Sequence, residues 1–203
     1  MGNKINKKNN EKFKKDKQYN QQKDKNREKK ITKHSCKIIF LGDSSIGSKS
    51  TLINLLLFGN CEINNDNYNG LISYKKIKLE NGKEMTLVLC DTAGQERFRS
   101  VSMNMGRGYD CFVLGYDITC LESFKSIQEY FYPALKEITN TDFIYLIGNK
   151  IDLYEYRKVE KEIAENYAEE KKIKFFEISC KTQSGIKEFY DDLINEIIKR
   201  YSF

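Results

Sequence analysis

The run Cys36-Lys37-Ile38-Ile39-Phe40-Leu41 opens directly into Gly42-Asp43-Ser44-Ser45-Ile46-Gly47-Ser48-Lys49-Ser50-Thr51, and the stretch 49–58 then closes in Leu55-Leu56-Leu57-Phe58 before Gly59. An apolar strand feeding a glycine-rich turn and then a helix buried against a sheet leaves few architectures open. A turn of this kind brings backbone N–H groups together at the positive end of a helix, where they can hold phosphate oxygens.

The usual spacing for that task is G-x-x-x-x-G-K-[ST], with the lysine on the outer phosphates and the hydroxyl on magnesium. Here it is G-x-x-x-x-G-x-K-S. In one register Ser48 is an insertion, Lys49 is the phosphate lysine and Ser50 is the metal ligand. In the other, Ser48 occupies the lysine position and the charge is lost. The first is favoured because Lys49-Ser50-Thr51-Leu52 reads as the start of the helix, and a bulge is less costly than a phosphate without its cation. Ser45, Ile46, Gly47, Ser48, Lys49, Ser50 and Thr51 are then the expected phosphate-binding residues.

Farther along the chain, strands and helices alternate. Ser73 to Leu79 and Glu84 to Cys90 flank Asn81-Gly82 and predict a hairpin. Residues 60–70, rich in Asn and Asp, predict a long loop. Strands are expected at Asp110 to Asp117, Phe143 to Gly148 and Lys174 to Ser179. Helices are expected over Leu121 to Ile138, near 158–170 and over 184–200, with Pro133 breaking or kinking the first. The last should place Ile186, Phe189, Leu193 and Ile197 on one face. This alternation predicts an α/β fold: a mostly parallel sheet covered on both sides, one antiparallel hairpin, and a ligand at the carboxyl ends of the strands.

Charge is distributed unevenly over the 203 residues. Residues 1–34 hold thirteen Lys or Arg and four Asp or Glu, a net +9, which leaves −3 for residues 35–203 of a chain totalling +6. That composition predicts a disordered basic tail on a single domain spanning 35–203. Such a tail suits an anionic surface, either membrane lipid or nucleic acid, or is a compositional habit without a partner. With only Phe13 and Tyr19 as aromatics, stacking on nucleic acid is disfavoured, and any such binding should be salt-sensitive and nonspecific. No apolar run approaches the ~20 residues of a membrane span, and the first thirty lack a signal-peptide core. A cytoplasmic location is expected. The six cysteines show no paired spacing and read as reduced residues.

Three further motifs follow the glycine turn in order. Asp91-Thr92-Ala93-Gly94-Gln95-Glu96 sits at a strand end, where Asp91 can hold a magnesium-bound water, Gly94 can offer its N–H to a terminal phosphate and Gln95 can orient an attacking water. In Asn149-Lys150-Ile151-Asp152 the carboxylate can accept both N–H donors of guanine, the amide can hold base and loop, and the lysine stem can cover the ring. Ser179-Cys180-Lys181 can close over the other side of the base through backbone N–H groups.

These residues resemble the Ras superfamily of small GTPases, most closely its Rab branch. Asp91 through Ser100, Arg107-Gly108, Tyr116-Asp117-Ile118-Thr119, Ser123-Phe124 and Phe176 through Thr182 carry the likeness, which covers about 35–200. It implies the three-layer P-loop NTPase fold, with a six-stranded, mostly parallel sheet, one antiparallel hairpin strand and about five helices. It also implies a GTP/GDP switch in vesicle or membrane traffic, with Mg2+ as cofactor. The partners implied are a guanine-nucleotide exchange factor, a GTPase-activating protein and effectors, on the cytosolic face of an intracellular membrane. Carried over residue by residue, Lys49 and Gln95 are catalytic, Ser50 and Asp91 hold the metal, and Gly94, Asn149, Lys150, Asp152, Ser179, Cys180 and Lys181 contact nucleotide.

Three departures qualify the likeness. Ser48 is one. In the first switch, Gly70 falls on the family's glycine, but Tyr68 stands where a threonine should bind magnesium and sense the terminal phosphate. The terminal Lys199-Arg200-Tyr201-Ser202-Phe203 offers no cysteine for the prenyl group typical of Rabs. Gly2 is a candidate myristoylation site, with Asn6 where Ser or Thr is favoured, and an acyl chain plus the basic tail would satisfy two-signal anchoring. The expected function is slow GTP hydrolysis as a traffic switch; the alternative is a degenerate guanine-nucleotide-binding scaffold without efficient hydrolysis.

Overall fold

The structure, a computed structural model, describes residues 35–43, 49–59, 72–79, 82, 84–92 and 108–201. Gly2, the tail, Ser45, Ile46, Gly47, Ser48, the 60–70 loop with Tyr68, Gly94 and Gln95 lie outside the described residues. Among the described residues no helix is long and apolar enough to cross a membrane.

Six strands form one sheet: β1 Ser35–Leu41, β2 Ile72–Lys78, β3 Glu84–Asp91, β4 Cys111–Asp117, β5 Ile144–Asn149 and β6 Lys174–Ile178, in the order β2-β3-β1-β4-β5-β6. The β1/β4, β4/β5 and β5/β6 pairs are parallel, and β2/β3 is the antiparallel hairpin. The hairpin starts and ends within one residue of the turn-based expectation, and Gly82, at φ 77°, donates its N–H to Leu79 O at 2.9 Å.

Alternate residues of the central strands face opposite layers, as the pleat requires. Ile38, Phe40, Cys111, Val113, Tyr145 and Ile147 join one buried cluster with helix α1, Lys49–Phe58, and helix α5, Ile186–Tyr201. Ile39, Leu41, Phe112, Leu114, Tyr116, Ile144 and Leu146 join the other, with the helical stretch 121–138 and helix α4, Lys161–Lys171. Ile186, Phe189, Leu193 and Ile197 are the buried residues of α5, the face that its spacing predicts. Phe189 is fully enclosed and meets the Tyr145 ring edge-on at 5.3 Å.

Pro133 does not end its helix. Helix α2, Leu121–Ser126, widens into a π-helical segment, Ile127–Phe131, and continues as α3, Tyr132–Ile138. Tyr132 N–H reaches back to Ile127 O, so Pro133 falls in the first turn of a new α segment, where a missing donor costs least. A 3₁₀ segment, Ile151–Tyr156, kinked at Leu153, follows β5 in a stretch for which no element was predicted; its six residues are too few for a readable period.

Candidate functional site

The parallel register aligns Asp117, Asn149 and Ile178 at the carboxyl ends of β4, β5 and β6. Leu41 and Asp91 end β1 and β3, so the predicted motifs issue from strand ends.

Lys49 begins α1 with its side chain buried, and its Nζ donates to Gly42 O at 2.6 Å and Asp43 O at 3.1 Å. The ammonium therefore closes over the first two residues after β1, Gly42 and Asp43, beside the positive end of α1. Burial lowers its pKa, while the Asp91 and Asp43 carboxylates oppose that fall. An arriving polyanion would relieve the same desolvation penalty.

Ser50 Oγ, one residue on, donates to Asp91 Oδ2 at 2.5 Å. Asp91 is held at the end of β3 near β1, where the neighbouring Thr92 Oγ1 donates to Phe40 O at 2.6 Å. A hydroxyl and a carboxylate at this separation are two hard oxygen donors. Magnesium takes few protein oxygens and completes its octahedron with phosphate and water, so this pair fits it.

The second half of the site forms around β5 and β6. Asn149 Oδ1 accepts Cys180 N–H at 3.2 Å, and Ser179 Oγ donates to Asp152 Oδ1 at 2.6 Å while accepting Thr182 N–H at 3.0 Å. Lys181 is mostly exposed and lies 4.0 Å from Asp152 Oδ2, too loose to contribute more than a surface pair. Thr51, Asn149, Lys150, Asp152, Leu153, Cys180 and Lys181 line an open cavity of about 550 Å³, within the range of small-molecule sites. Thr51 of α1 thus shares a cavity with the Asn149–Asp152 turn, although almost a hundred residues separate them.

Two supporting ion pairs were not foreseen from the motifs, although Asp117, Lys150 and Glu177 lie within them. Arg157, just past the 3₁₀ segment, makes paired bonds to Glu177 of 2.6 and 3.0 Å and also donates to Val159 O. Their side chains are 17% and 11% exposed, and the pair ties the segment after Asp152 to the strand before Ser179. Asp117 binds Lys150 Nζ at 2.5 Å. Both pairs join residues that are distant in sequence, so no local spacing could announce them.

The Ras family sequence profile matches residues 37–199. The chain belongs to the Ras family. This Ras-family chain is 33% identical over 162 residues to the Ras-related protein Rab-30 of Homo sapiens, covering 80% of this chain and 79% of the relative. It is 34% identical over 173 residues to Rab-13 of Rattus norvegicus, covering 81% of each. Against Rab-2B of Dictyostelium discoideum it is 34% identical over 167 residues, covering 82% of each.

Proposed function

We propose that this Ras-family chain binds GTP and GDP in the cavity between Thr51 and Asp152, and hydrolyses GTP slowly as a Rab-like switch in vesicle or membrane traffic. The observation that carries the reading is Asp152: its carboxylate is fixed by the Ser179 hydroxyl at the wall of the cavity. A carboxylate presented there accepts the two N–H donors on one edge of guanine, a pair that adenine lacks. Asn149 holds the Cys180 segment against the same turn.

At the other end, Lys49 neutralises outer-phosphate charge, and Ser50 and Asp91 hold Mg2+, which supplies charge compensation to the phosphates when bound. Gly94 offers its N–H to the terminal phosphate and Gln95 orients water, the roles their motif carries in the family. An activating protein supplies the remaining transition-state charge stabilisation, and exchange factors and effectors read the bound state. The basic tail, with an acyl group on Gly2, holds the chain to an anionic cytosolic leaflet.

Calorimetry of the full chain with GDP, GTP and ATP in Mg2+ tests the base assignment. Heat with both guanine nucleotides and none with ATP is expected, and equal ATP binding defeats it. Phosphate release from GTP above that of a Gln95→Leu variant is expected for hydrolysis. Binding without such release favours the scaffold reading, toward which Ser48 and Tyr68 point. Limited trypsinolysis then separates switch from scaffold by whether a non-hydrolysable GTP analogue and GDP protect residues 60–72 differently.

A further inference from the structure

Asp117 ends β4 directly across from Asn149, and its side chain is 4% exposed. The carboxylate does not line the cavity, yet it is fully engaged. Oδ1 accepts the Thr119 N–H at 2.8 Å and the Thr119 hydroxyl at 2.7 Å, and Oδ2 accepts the Lys150 ammonium. Behind it, the Asp117 N–H donates to Ser123 Oγ at 3.0 Å, and that hydroxyl donates to Cys120 O at 2.7 Å. The carboxylate therefore sits on a rigid base, and Lys150 is the cavity-lining residue it grips.

Lys150 has φ 70° and ψ 36°, a left-handed conformation that a residue with a side chain adopts only when its surroundings hold it. A lysine stem also has many rotamers, and ordering it during binding weakens binding. With its ammonium held by a buried carboxylate, the stem is ordered beforehand.

We infer that Asp117 is a positioning residue for the bound purine, acting through Lys150: it fixes the lysine stem as one wall of the base site and so slows nucleotide release. The inference rests on the guanine-nucleotide reading above. Asp117 acts on retention and not on base choice, because the edge of the base is read by Asp152 and the stem covers only its plane.

Release of fluorescent mant-GDP from the full chain in Mg2+ tests this. Asp117→Asn keeps the shape and the acceptor for Thr119 but removes the charge facing Lys150. Release is expected to quicken by about tenfold, the size of one charge-assisted hydrogen bond. In a Lys150→Met background the same change should alter release by less than about twofold, since interacting sites are non-additive. Mant-IDP, which lacks the 2-amino group, should be released faster by the same factor as mant-GDP. Equal effects in both backgrounds, or loss confined to guanine, overturns the inference. Should Asp117→Asn fail to fold, Thr119→Val loosens the carboxylate without changing charge; its effect must likewise vanish with Lys150→Met, and persistence there is the overturning result. If the unaltered chain retains no mant-GDP, the guanine-nucleotide reading fails and takes this inference with it. If it retains mant-GDP and Asp117→Asn releases at the same rate, only the inference fails.

Discussion

Gly59 and Gly185 share a φ of +73°, but a methyl group would meet different surroundings at each. Gly59 follows α1, donates its N–H to Leu55 O at 2.9 Å, and among the described residues nothing lies within 4 Å of an added Cβ. At Gly185 the added Cβ falls well under 3 Å from the Glu177 carbonyl oxygen and 3.3 Å from Ile178 Cγ2. Gly59→Ala therefore carries the left-handed backbone term alone, about 1 kcal/mol. Gly185→Ala carries that term plus displacement of β6 backbone, and overpacking of this kind adds roughly 1–3 kcal/mol. The expected gap between the two variants is about 2 kcal/mol, measured by urea unfolding with an unchanged m-value. The displaced oxygen belongs to Glu177, which binds Arg157 and lies two residues before Ser179. Gly185→Ala should thus also weaken GDP binding, whereas Gly59→Ala should not. A gap below about 0.5 kcal/mol, the usual scatter for independent sites, would refute the argument.

Phe189→Ala removes a fully enclosed ring that packs on Tyr145 and Phe176 and should cost about 3–5 kcal/mol in the same assay. Lys174 holds the Glu196 carboxyl below its ordinary pKa, and Arg200 does the same for Asp142. Both folded values are depressed, so this stability is present above the unfolded carboxylate range near about 4 and is lost as pH falls through the folded values. Unfolding free energy followed from pH 7 downward should drop at the acid end, and Lys174→Gln should flatten that drop. Burial, reinforced by Asp110, pushes the Cys36 thiol up to about 12. Iodoacetamide at pH 8 should therefore leave Cys36 unlabelled in the native protein and label it in urea, while half-buried Cys120 reacts first among the described cysteines; peptide mass spectrometry reads the order.

Much of the architecture was legible in local pattern. The Asn81-Gly82 turn placed the hairpin, and the spacing of Ile186, Phe189, Leu193 and Ile197 placed the buried face of α5, because periodicity and turn chemistry act over a few residues. Pro133 perturbs its helix without ending it, a choice that local pattern could not decide. Proline does exclude an ordinary helical hydrogen bond, but packing of Ile127, Phe131 and Leu135 into the core keeps the segment helical through a π turn.

The residue types at the candidate site were likewise set by the chain alone: Lys49 and Ser50 at a helix start, Asp91 at a strand end, and Asn149, Asp152 and Ser179 after apolar runs. What tertiary structure decided was their company. Ser50 meets Asp91 across 41 residues and Asp152 meets Ser179 across 27, contacts set by strand order and register. The part-buried Asp117–Lys150 and Arg157–Glu177 pairs belong to the same class. Partial shielding from water strengthens them, and that shielding exists only once both layers close on the sheet.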